Sequence, residues 1–228
     1  MKAMILAAGR GERMRPLTDT TPKPLLLLNC KYLILLSILK LKQAGVVDLV
    51  INVSHLAAQI ERALGDGEKL GVRITYSREQ TALETAGGIA WALPLLDDQP
   101  FLVVNSDVYS DYDFAAVTQR AQTLTAQQPA YLVLVDNPEH HAQGDFALRD
   151  GVVTTEGARL TFSGIGAYHP ALFAGIARGE KMRLAAQLAQ PIAEGRVSGE
   201  HFRGEWNDVG TPQRLAALDA RLRNVGAG

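Results

Sequence analysis

The sequence contains a single cysteine, Cys30, among its 228 residues. One thiol cannot form an intramolecular disulfide or supply the cysteines of a structural zinc site, so both kinds of cross-link are excluded. Positive charge is not in excess either, because 23 basic side chains face 24 acidic ones and the net charge is −1. This balance gives no electrostatic attraction for nucleic acid or for an anionic membrane, and we expect neither as a partner.

Long hydrophobic runs are also lacking. The nearest approach is the leucine-rich stretch 25–39, which Asn29 and Lys31 interrupt before it reaches the roughly 20 residues of a membrane-spanning helix. We interpret it as a buried strand followed by a buried helix, and so apolar a helix over 33–41 is also a candidate contact in a homo-oligomer. The N-terminal apolar stretch is too short for a signal peptide, so the expected location is the reducing cytoplasm.

Short apolar runs alternate with helical patterns in the first 135 residues. Runs that are apolar nearly throughout suit parallel strands buried on both faces, and they lie at 4–8, 49–53, 72–76, 101–104 and 130–135. Helices are predicted between them, at 33–44, 56–64, 87–96 and 112–124. This order predicts an α/β fold with a mostly parallel, right-handed, doubly wound central sheet flanked by helices.

The pattern changes after about residue 135, where the predicted strands become shorter and are separated by polar turns. They lie at 145–149, 152–155, 160–168 and 196–203, with helices at 170–176, 184–195 and 212–224. No linker, repeat or low-complexity tract divides the chain. We therefore expect one domain over 1–228, whose C-terminal half adds mixed strands to the same sheet.

The first predicted strand runs into a loop that combines glycine with fixed positive charge, GRGERMRPLT at 9–18 and then PKPLL at 22–26. Glycines in this position let backbone N–H groups approach a phosphate closely. The loop lacks the last glycine of the dinucleotide motif and the Gly-Lys-Ser/Thr of a Walker A loop, whereas Arg13, Arg15 and Lys23 supply charge. These features disfavour a plain NAD-binding domain. A solvated basic loop is the alternative, but a long, proline-bracketed loop in a compact domain is usually functional.

Two acidic residues follow predicted strands. Asp107 comes just after the strand at 101–104, and Asp208 precedes a helix that Thr211 and Pro212 are suited to begin. The carboxyl ends of strands form the ligand-binding edge of an open α/β sheet, and Mg²⁺ takes one or two carboxylates together with phosphate oxygens. Asp107 either caps the following helix or converges with Asp208 on one metal ion.

The chain resembles the sugar-phosphate nucleotidylyltransferases. The motifs of that family are matched, in the same order, by the loop at 9–18 and 22–26, by Asn105-Ser-Asp107 and by WNDVGT at 206–211. The resemblance covers essentially the whole chain. It implies a Rossmann-like nucleotidyltransferase fold and an enzyme that joins a nucleoside triphosphate to a sugar 1-phosphate and releases pyrophosphate. Ser106 and Ala86 replace glycines of the family pattern, which would cost about 1 kcal/mol wherever φ is positive.

Carried over residue by residue, the resemblance implies a role for each part of the site. Arg13 and Lys23 would be catalytic, and Asp107 and Asp208 would hold Mg²⁺. The nucleotide, UTP, would be bound by Ala8, Gly9, Gly11, Glu12, Arg13, Lys23, Glu79, Glu84 and Gly88. Of these, the stretch from Glu79 to Gly88 would line the uracil, with Gly88 approaching it by its backbone. The sugar phosphate would be bound by Asn105, Gly144 and Glu156. Residues 1–135 would thus form the nucleotide-binding part and residues 136–228 the sugar-phosphate-binding part.

The sugar and the base stay open at this point. The sugar could be N-acetylmuramate, mannose, glucose or N-acetylglucosamine, and the base could be uracil, guanine or thymine. The stretches 84–89 and 144–146 resemble the N-acetylmuramate branch and favour it, with UTP as donor. A non-catalytic nucleotide-sugar sensor is the alternative from another class, but a sensor has no need of the complete charge set of Arg13, Lys23, Asp107 and Asp208.

Overall fold

In a computed structural model, which describes residues 1–225, the chain forms a nine-stranded sheet, two two-stranded ladders and six α-helices. The strands are β1 (Lys2–Leu6), β2 (Leu27–Leu28), β3 (Lys31–Tyr32), β4 (Asp48–Val53), β5 (Arg73–Arg78), β6 (Phe101–Asn105), β7 (Val108–Ser110), β8 (Ala130–Val135), β9 (Phe146–Arg149), β10 (Val152–Thr154), β11 (Arg159–Tyr168), β12 (Val197–Phe202) and β13 (Trp206–Asp208). The helices are α1 (Leu33–Gln43), α2 (Ala57–Leu64), α3 (Glu84–Leu96), α4 (Phe114–Ala121), α5 (Leu184–Ala193) and α6 (Pro212–Val225).

The first half of the chain forms the parallel part of the sheet. β1 lies between β4 and β6, and β5 lies beyond β4, all parallel to one another. Successive side chains of β1 point to opposite faces: Ile5 packs in a cluster with α1, α2 and α4, and Met4 packs in a cluster with α3 and α5. Both residues are fully buried. The predicted α/β sheet with helices on both faces is confirmed.

The second half adds the mixed strands, in the order β5-β4-β1-β6-β11-β8-β12-β10-β9. β11 is antiparallel to β6 along its second half and pairs with β9 at its start. Its register shifts between Phe162 and Gly166, and Gly164 has a φ of +78°. A Cβ at Gly164 would lie 2.8 Å from Cγ of Asn105, so the glycine lets β11 pass the end of β6. The pairing of β11 is therefore irregular beside Asn105.

A short antiparallel ladder joins distant parts of the chain at the same edge. β13 pairs with β7, which places Asp208 opposite Val108. The backbone N–H of Val209 donates to the carbonyl of Asp107 at 2.9 Å. α6 then begins at Pro212, and the Thr211 hydroxyl accepts from the backbone N–H of Arg214 at 3.3 Å, as the predicted cap requires. The two predicted metal-binding aspartates are thus brought together by backbone pairing.

The stretch 25–28 is not the buried strand that its leucines predict. It comprises the end of a 3₁₀ turn, Lys23–Leu25, and the two-residue strand β2, in which Leu27 is 57% exposed. Asn29 and Cys30 have φ values of 47° and 61°, so the chain turns back on itself there and pairs β2 with β3. The predicted strand was too long because the leucine content of a segment does not show where the chain turns.

Two predicted helices are also shorter than their patterns suggest. The segment 170–176 contains only the 3₁₀ turn Pro170–Leu172. The helix predicted from residue 112 begins at Phe114, because the Asp113 side chain accepts from the N–H of Ala115 at 2.9 Å and fixes the start. Within residues 1–225, no helix is long and apolar enough to cross a membrane.

α1 is apolar on most of its surface because it packs into two separate clusters. Ile34 and Ile38 are buried in the cluster beneath the sheet, whereas Leu33 belongs to a third cluster that includes Met14 and Leu218. Burial within the chain therefore accounts for much of the leucine content. Leu39 is exposed by 42%, and the contact between copies through 33–41 stays a prediction.

Two neighbouring residues of α1 provide a matched test of this packing. We expect Ile38→Ala to lower the free energy of unfolding by about 2–5 kcal/mol, because it leaves a cavity at a fully buried position. Leu39→Ala should change it by no more than about 0.5 kcal/mol. Urea unfolding at two protein concentrations checks both values. A comparable, concentration-dependent loss in Leu39→Ala would instead place Leu39 in a contact between copies.

Candidate active site

A cavity of about 660 Å³ lies at the carboxyl ends of β1, β4 and β6. This volume is typical of a small-molecule site, and the edge is where open α/β sheets bind ligands. Most of the predicted site residues line it, namely Ala8, Gly9, Gly11, Glu12, Arg13, Lys23, Glu79, Glu84, Asn105 and Asp107. Gly88, Gly144, Glu156 and Asp208 are not part of its lining.

The glycine-rich loop is folded back against residues 18–23. Gly11 has a φ of +65°, and a Cβ there would lie 3.0 Å from Cγ2 of Thr18 and 3.1 Å from Cβ of Lys23. The Thr18 hydroxyl donates to the Gly11 carbonyl at 2.8 Å. Met14 is fully buried and anchors the loop in the third cluster, while Arg13 is exposed at the cavity. Only glycine at position 11 allows Lys23 to approach so closely.

Arg10 also lines the cavity, although the sequence motifs did not single it out. It lies between the two glycines of the loop and is exposed. Arg15, by contrast, lies outside the lining and pairs with Asp19 at 3.2 Å on the exposed side of the loop. The positive charge at the cavity therefore comes from Arg10, Arg13 and Lys23.

Glu79 forms the opposite wall, where the base was expected. It follows β5, is 6% exposed, and accepts hydrogen bonds from Nδ2 of Asn52 at 2.7 Å and from the backbone N–H of Leu83 at 3.0 Å. Burial raises the pKa of the Glu79 carboxyl, and these two donors oppose the rise by stabilising the ionised form. Sequence reasoning missed Asn52, since it is one polar residue within an apolar strand.

Gly88 lies behind this wall and is not part of the cavity lining, whereas the resemblance implied that its backbone approaches the base. A Cβ at Gly88 would lie 2.7 Å from Oε1 of Glu79 and 3.1 Å from Nδ2 of Asn52. Gly88 thus lets the backbone of α3 pack against the carboxylate. Glu84 starts α3 with a φ of 64°, whereas Ala86 and Ser106 do not have positive φ values, so the expected strain at these two positions does not arise.

The acidic end of the site contains two ion pairs. The Lys23 ammonium pairs with Asp107, and both side chains are largely buried. Asp208 pairs through Oδ1 with Nη1 of Arg214 at 2.6 Å and lies 3.0 Å from Nε2 of His140. A Cβ at Gly210 would overlap the Arg214 guanidinium, so this glycine makes room for the pair. Asp107 does not cap a helix, because β7 follows it directly.

The donor set suits a divalent cation. Asp107 directly precedes β7 and Asp208 ends β13, and these two strands pair with each other. Mg²⁺ and similar hard cations take oxygen ligands such as these carboxylates. Within residues 1–225, no cluster of three or more His, Cys, Asp or Glu side chains could hold a metal ion. Two carboxylates would therefore need water and phosphate oxygens as further ligands, which fits a site that a phosphate-bearing substrate completes.

Gly144 and Glu156 are not brought to the cavity. Gly144 has a φ of +60°, and a Cβ there would lie 2.8 Å from Oδ1 of Asn137 and 3.0 Å from Cβ of Arg159. The local turn thus explains this glycine. Glu156 is exposed in the turn between β10 and β11, where its carbonyl accepts from the Thr154 hydroxyl at 2.8 Å. Asn105 is the predicted sugar-phosphate residue that does line the cavity.

Comparisons with known proteins identify the family of the chain. Residues 2–155 match the nucleotidyl transferase family. The chain is 55% identical over 225 residues to the N-acetylmuramate alpha-1-phosphate uridylyltransferase of Neisseria meningitidis, covering 96% of this chain and 97% of that protein. It is 37% identical over 233 residues to the protein of the same name from Caulobacter vibrioides, covering 96% of each.

A solved structure from Bacillus anthracis, described as a glucose-1-phosphate thymidylyltransferase, has the same fold. Its TM-score is 0.86 at 22% identity, over 98% of this chain and 96% of that one. Enzymes of the matched family generally use a divalent metal ion, which the paired carboxylates suit. By its motifs, its fold and its full-length relatives, the chain belongs to the nucleotidyl transferase family of enzymes.

Proposed function

We propose that this enzyme transfers the uridylyl group of UTP to N-acetylmuramate α-1-phosphate, giving UDP-N-acetylmuramate and pyrophosphate. The observation that carries the proposal is the 55% identity, over nearly the full length of both chains, to the N. meningitidis uridylyltransferase. N-acetylmuramate is a sugar of the bacterial cell wall, so we assign the reaction to peptidoglycan recycling. A nucleoside triphosphate donor suits a cytoplasmic enzyme.

The reaction needs charge neutralisation more than proton transfer. An oxygen of the sugar 1-phosphate, already anionic at neutral pH, attacks the α-phosphorus of UTP, and the bond to the β-phosphate oxygen breaks as pyrophosphate leaves. The obstacle is repulsion between two polyanions. Arg13 and Lys23 line the same cavity and would place fixed positive charge where negative charge develops, which is the largest contribution to catalysis in many enzymes.

Asp107 and Asp208 would hold the metal ion, and Mg²⁺ is the ion that best suits two carboxylates completed by phosphate oxygens. When bound, Mg²⁺ supplies Lewis-acid stabilisation to the phosphates. Lys23 and Arg214 now pair with these carboxylates. Both cations are therefore placed to exchange a carboxylate for a phosphate oxygen when substrate binds.

The two parts of the chain divide the substrates between them. Residues 1–135 supply the loop after β1 and the Glu79 wall, which would bind UTP. Residues 136–228 supply Asp208 and the strands β9 to β13, which would bind the sugar phosphate. Gly144 and Glu156 are assigned to that side by the resemblance alone.

Pyrophosphate release over a matrix of nucleoside triphosphates and sugar 1-phosphates tests the substrates. N-acetylmuramate differs from N-acetylglucosamine by a lactyl ether bearing a carboxylate, and polar groups built to pair with it stay unpaired when it is missing. We expect UTP with N-acetylmuramate 1-phosphate to give a kcat/KM at least about tenfold above that with N-acetylglucosamine 1-phosphate, or roughly 1.4 kcal/mol.

Equal rates for the two sugars, or a preference for mannose 1-phosphate with GTP, would contradict the proposed substrates and leave the family unchanged. Tight binding of UDP-sugars without pyrophosphate release from any pair would favour the sensor. N-acetylmuramate 1-phosphate and N-acetylglucosamine 1-phosphate share the 1-phosphate and the N-acetyl group, so their comparison isolates the lactyl ether with its carboxylate.

A further inference from the structure

Asn52 is a buried polar side chain to which the reaction described above gives no role. It is 4% exposed in β4, between Ile51 and Val53, which are fully buried. A buried amide without partners costs about 1–3 kcal/mol, so its hydrogen bonds should be complete. β4 is otherwise apolar from Leu49 onward, and a valine there would be the ordinary residue.

Both ends of the Asn52 amide have partners that line the cavity. Its Oδ1 accepts from the backbone N–H of Ala7 at 2.8 Å, and its Nδ2 donates to Oε1 of Glu79 at 2.7 Å. Because Oδ1 must face an N–H group, Nδ2 has to face Glu79, and the orientation of the amide is fixed. One side chain thus links the start of the phosphate loop to the carboxylate on the opposite wall.

The Glu79 carboxylate is held on three sides. Asn52 donates to one oxygen, the backbone N–H of Leu83 donates to the other at 3.0 Å, and the backbone of α3 at Gly88 leaves no space behind them. Both bonds are donated to Glu79, so they favour an ionised carboxylate that can only accept. Each oxygen keeps a further lone pair for a ligand in the cavity.

An acceptor-only group at this wall discriminates between bases. Uracil presents a ring N3–H donor between two carbonyls, whereas the N3 of cytosine is an acceptor. A carboxylate that can only accept pairs with the first and repels the second. Sites that hydrogen-bond a substrate N–H reject analogues lacking it strongly, because a buried polar group is then left unpaired.

We propose that Asn52 is a positioning residue that sets base selectivity. It holds Glu79 as an acceptor facing the base, and it ties Glu79 to the backbone of Ala7, so that base recognition and the phosphate loop form one hydrogen-bonded unit. The inference rests on the proposed function, since it requires a uridine nucleotide in this cavity.

The test compares kcat/KM for UTP and CTP, with one sugar 1-phosphate, in wild type and in two variants. Asn52→Asp keeps the acceptor for Ala7 but replaces the amide donor by a second carboxyl beside Glu79. The two carboxyls then share one proton, so Glu79 is no longer held as a group that only accepts. The double variant Asn52→Asp with Glu79→Gln rebuilds the hydrogen bonds with the negative charge moved to position 52. It serves if the single variant does not fold.

We expect both variants to lower the UTP:CTP ratio of kcat/KM at least about tenfold, with UTP losing more through KM than through kcat. Ser77→Ala is the matched control. Ser77 lies directly opposite Asn52 on β5, is equally buried, and makes no hydrogen bond through its hydroxyl within the described residues. Its UTP:CTP ratio should equal that of wild type.

A folded Asn52 variant with the wild-type UTP:CTP ratio would overturn the inference, even if its stability or overall rate fell, because a purely structural role lowers both nucleotides alike. A wild-type enzyme with no preference for UTP over CTP would overturn the inference too, and would count against UTP as the proposed donor. The two failures are therefore distinguishable.

Discussion

Lys23→Met is expected to lower kcat/KM by at least about a hundredfold while the chain stays folded. The Lys23 side chain is largely buried at the junction of the phosphate loop and the acidic end, where it pairs with Asp107. Methionine has a similar length and apolar stem but carries no charge. The loss would therefore measure the charge that Lys23 provides to the phosphates. Pyrophosphate release with saturating UTP checks the rate, and circular dichroism checks the fold.

Arg15→Gln is the matched control, because Arg15 belongs to the same loop but pairs with Asp19 away from the cavity. It should change kcat/KM by less than about twofold, because it removes no preorganised charge from the cavity. Near-normal turnover by Lys23→Met would mean that the loop is a solvated basic segment. Equal losses in both variants would point to damage to the loop and not to a missing charge.

The second large effect concerns the two aspartates that β7 and β13 bring together. Asp107→Asn and Asp208→Asn should each lower kcat/KM by about a hundredfold or more, the scale of losing a preorganised electrostatic group. The double variant should be barely worse than either single one, because groups that act as a unit are strongly non-additive. Initial rates at saturating Mg²⁺, with binding of Mn²⁺ in the presence of UTP measured in parallel, check this expectation.

Asp136→Asn serves as control, because Asp136 is 77% exposed and contacts His201 outside the cavity. It should leave both rate and metal binding unchanged. Fully additive losses in the double aspartate variant would contradict a shared site, and so would full activity in EDTA. Unchanged Mn²⁺ binding in both single variants would show that the aspartates act only through Lys23 and Arg214.

The parallel strands could be predicted from sequence because their apolar runs are buried on both faces. β4, β6 and β8 begin and end within one residue of their predicted bounds. β1 is displaced, since 4–8 was predicted and Lys2–Leu6 is observed. Ala7 looks like strand by composition, but its N–H donates to the Asn52 side chain and not to a neighbouring strand. A hydrophobic run cannot show where a backbone leaves the ladder.

The motifs identified the charged residues but not their partners. Lys23 and Asp107 are 84 positions apart, and Asp208 is 68 from His140, so their pairing depends on the sheet order and on the β7–β13 ladder. Gly88 and Gly144 were identified as glycines of the site, yet the structure explains each by local packing. A glycine looks the same in the sequence whether its missing Cβ makes room for a ligand or for another part of the chain.

Nucleotidyl transfer is tested most directly by the fate of a radioactive label on the α-phosphate of UTP. With N-acetylmuramate 1-phosphate present, the label should appear in UDP-N-acetylmuramate, with an equal amount of unlabelled pyrophosphate, and Lys23→Met should slow the formation of both. Label found in UMP, or transfer of a γ-phosphate label to the sugar, would contradict the account, because the cavity would then catalyse hydrolysis or phosphorylation instead.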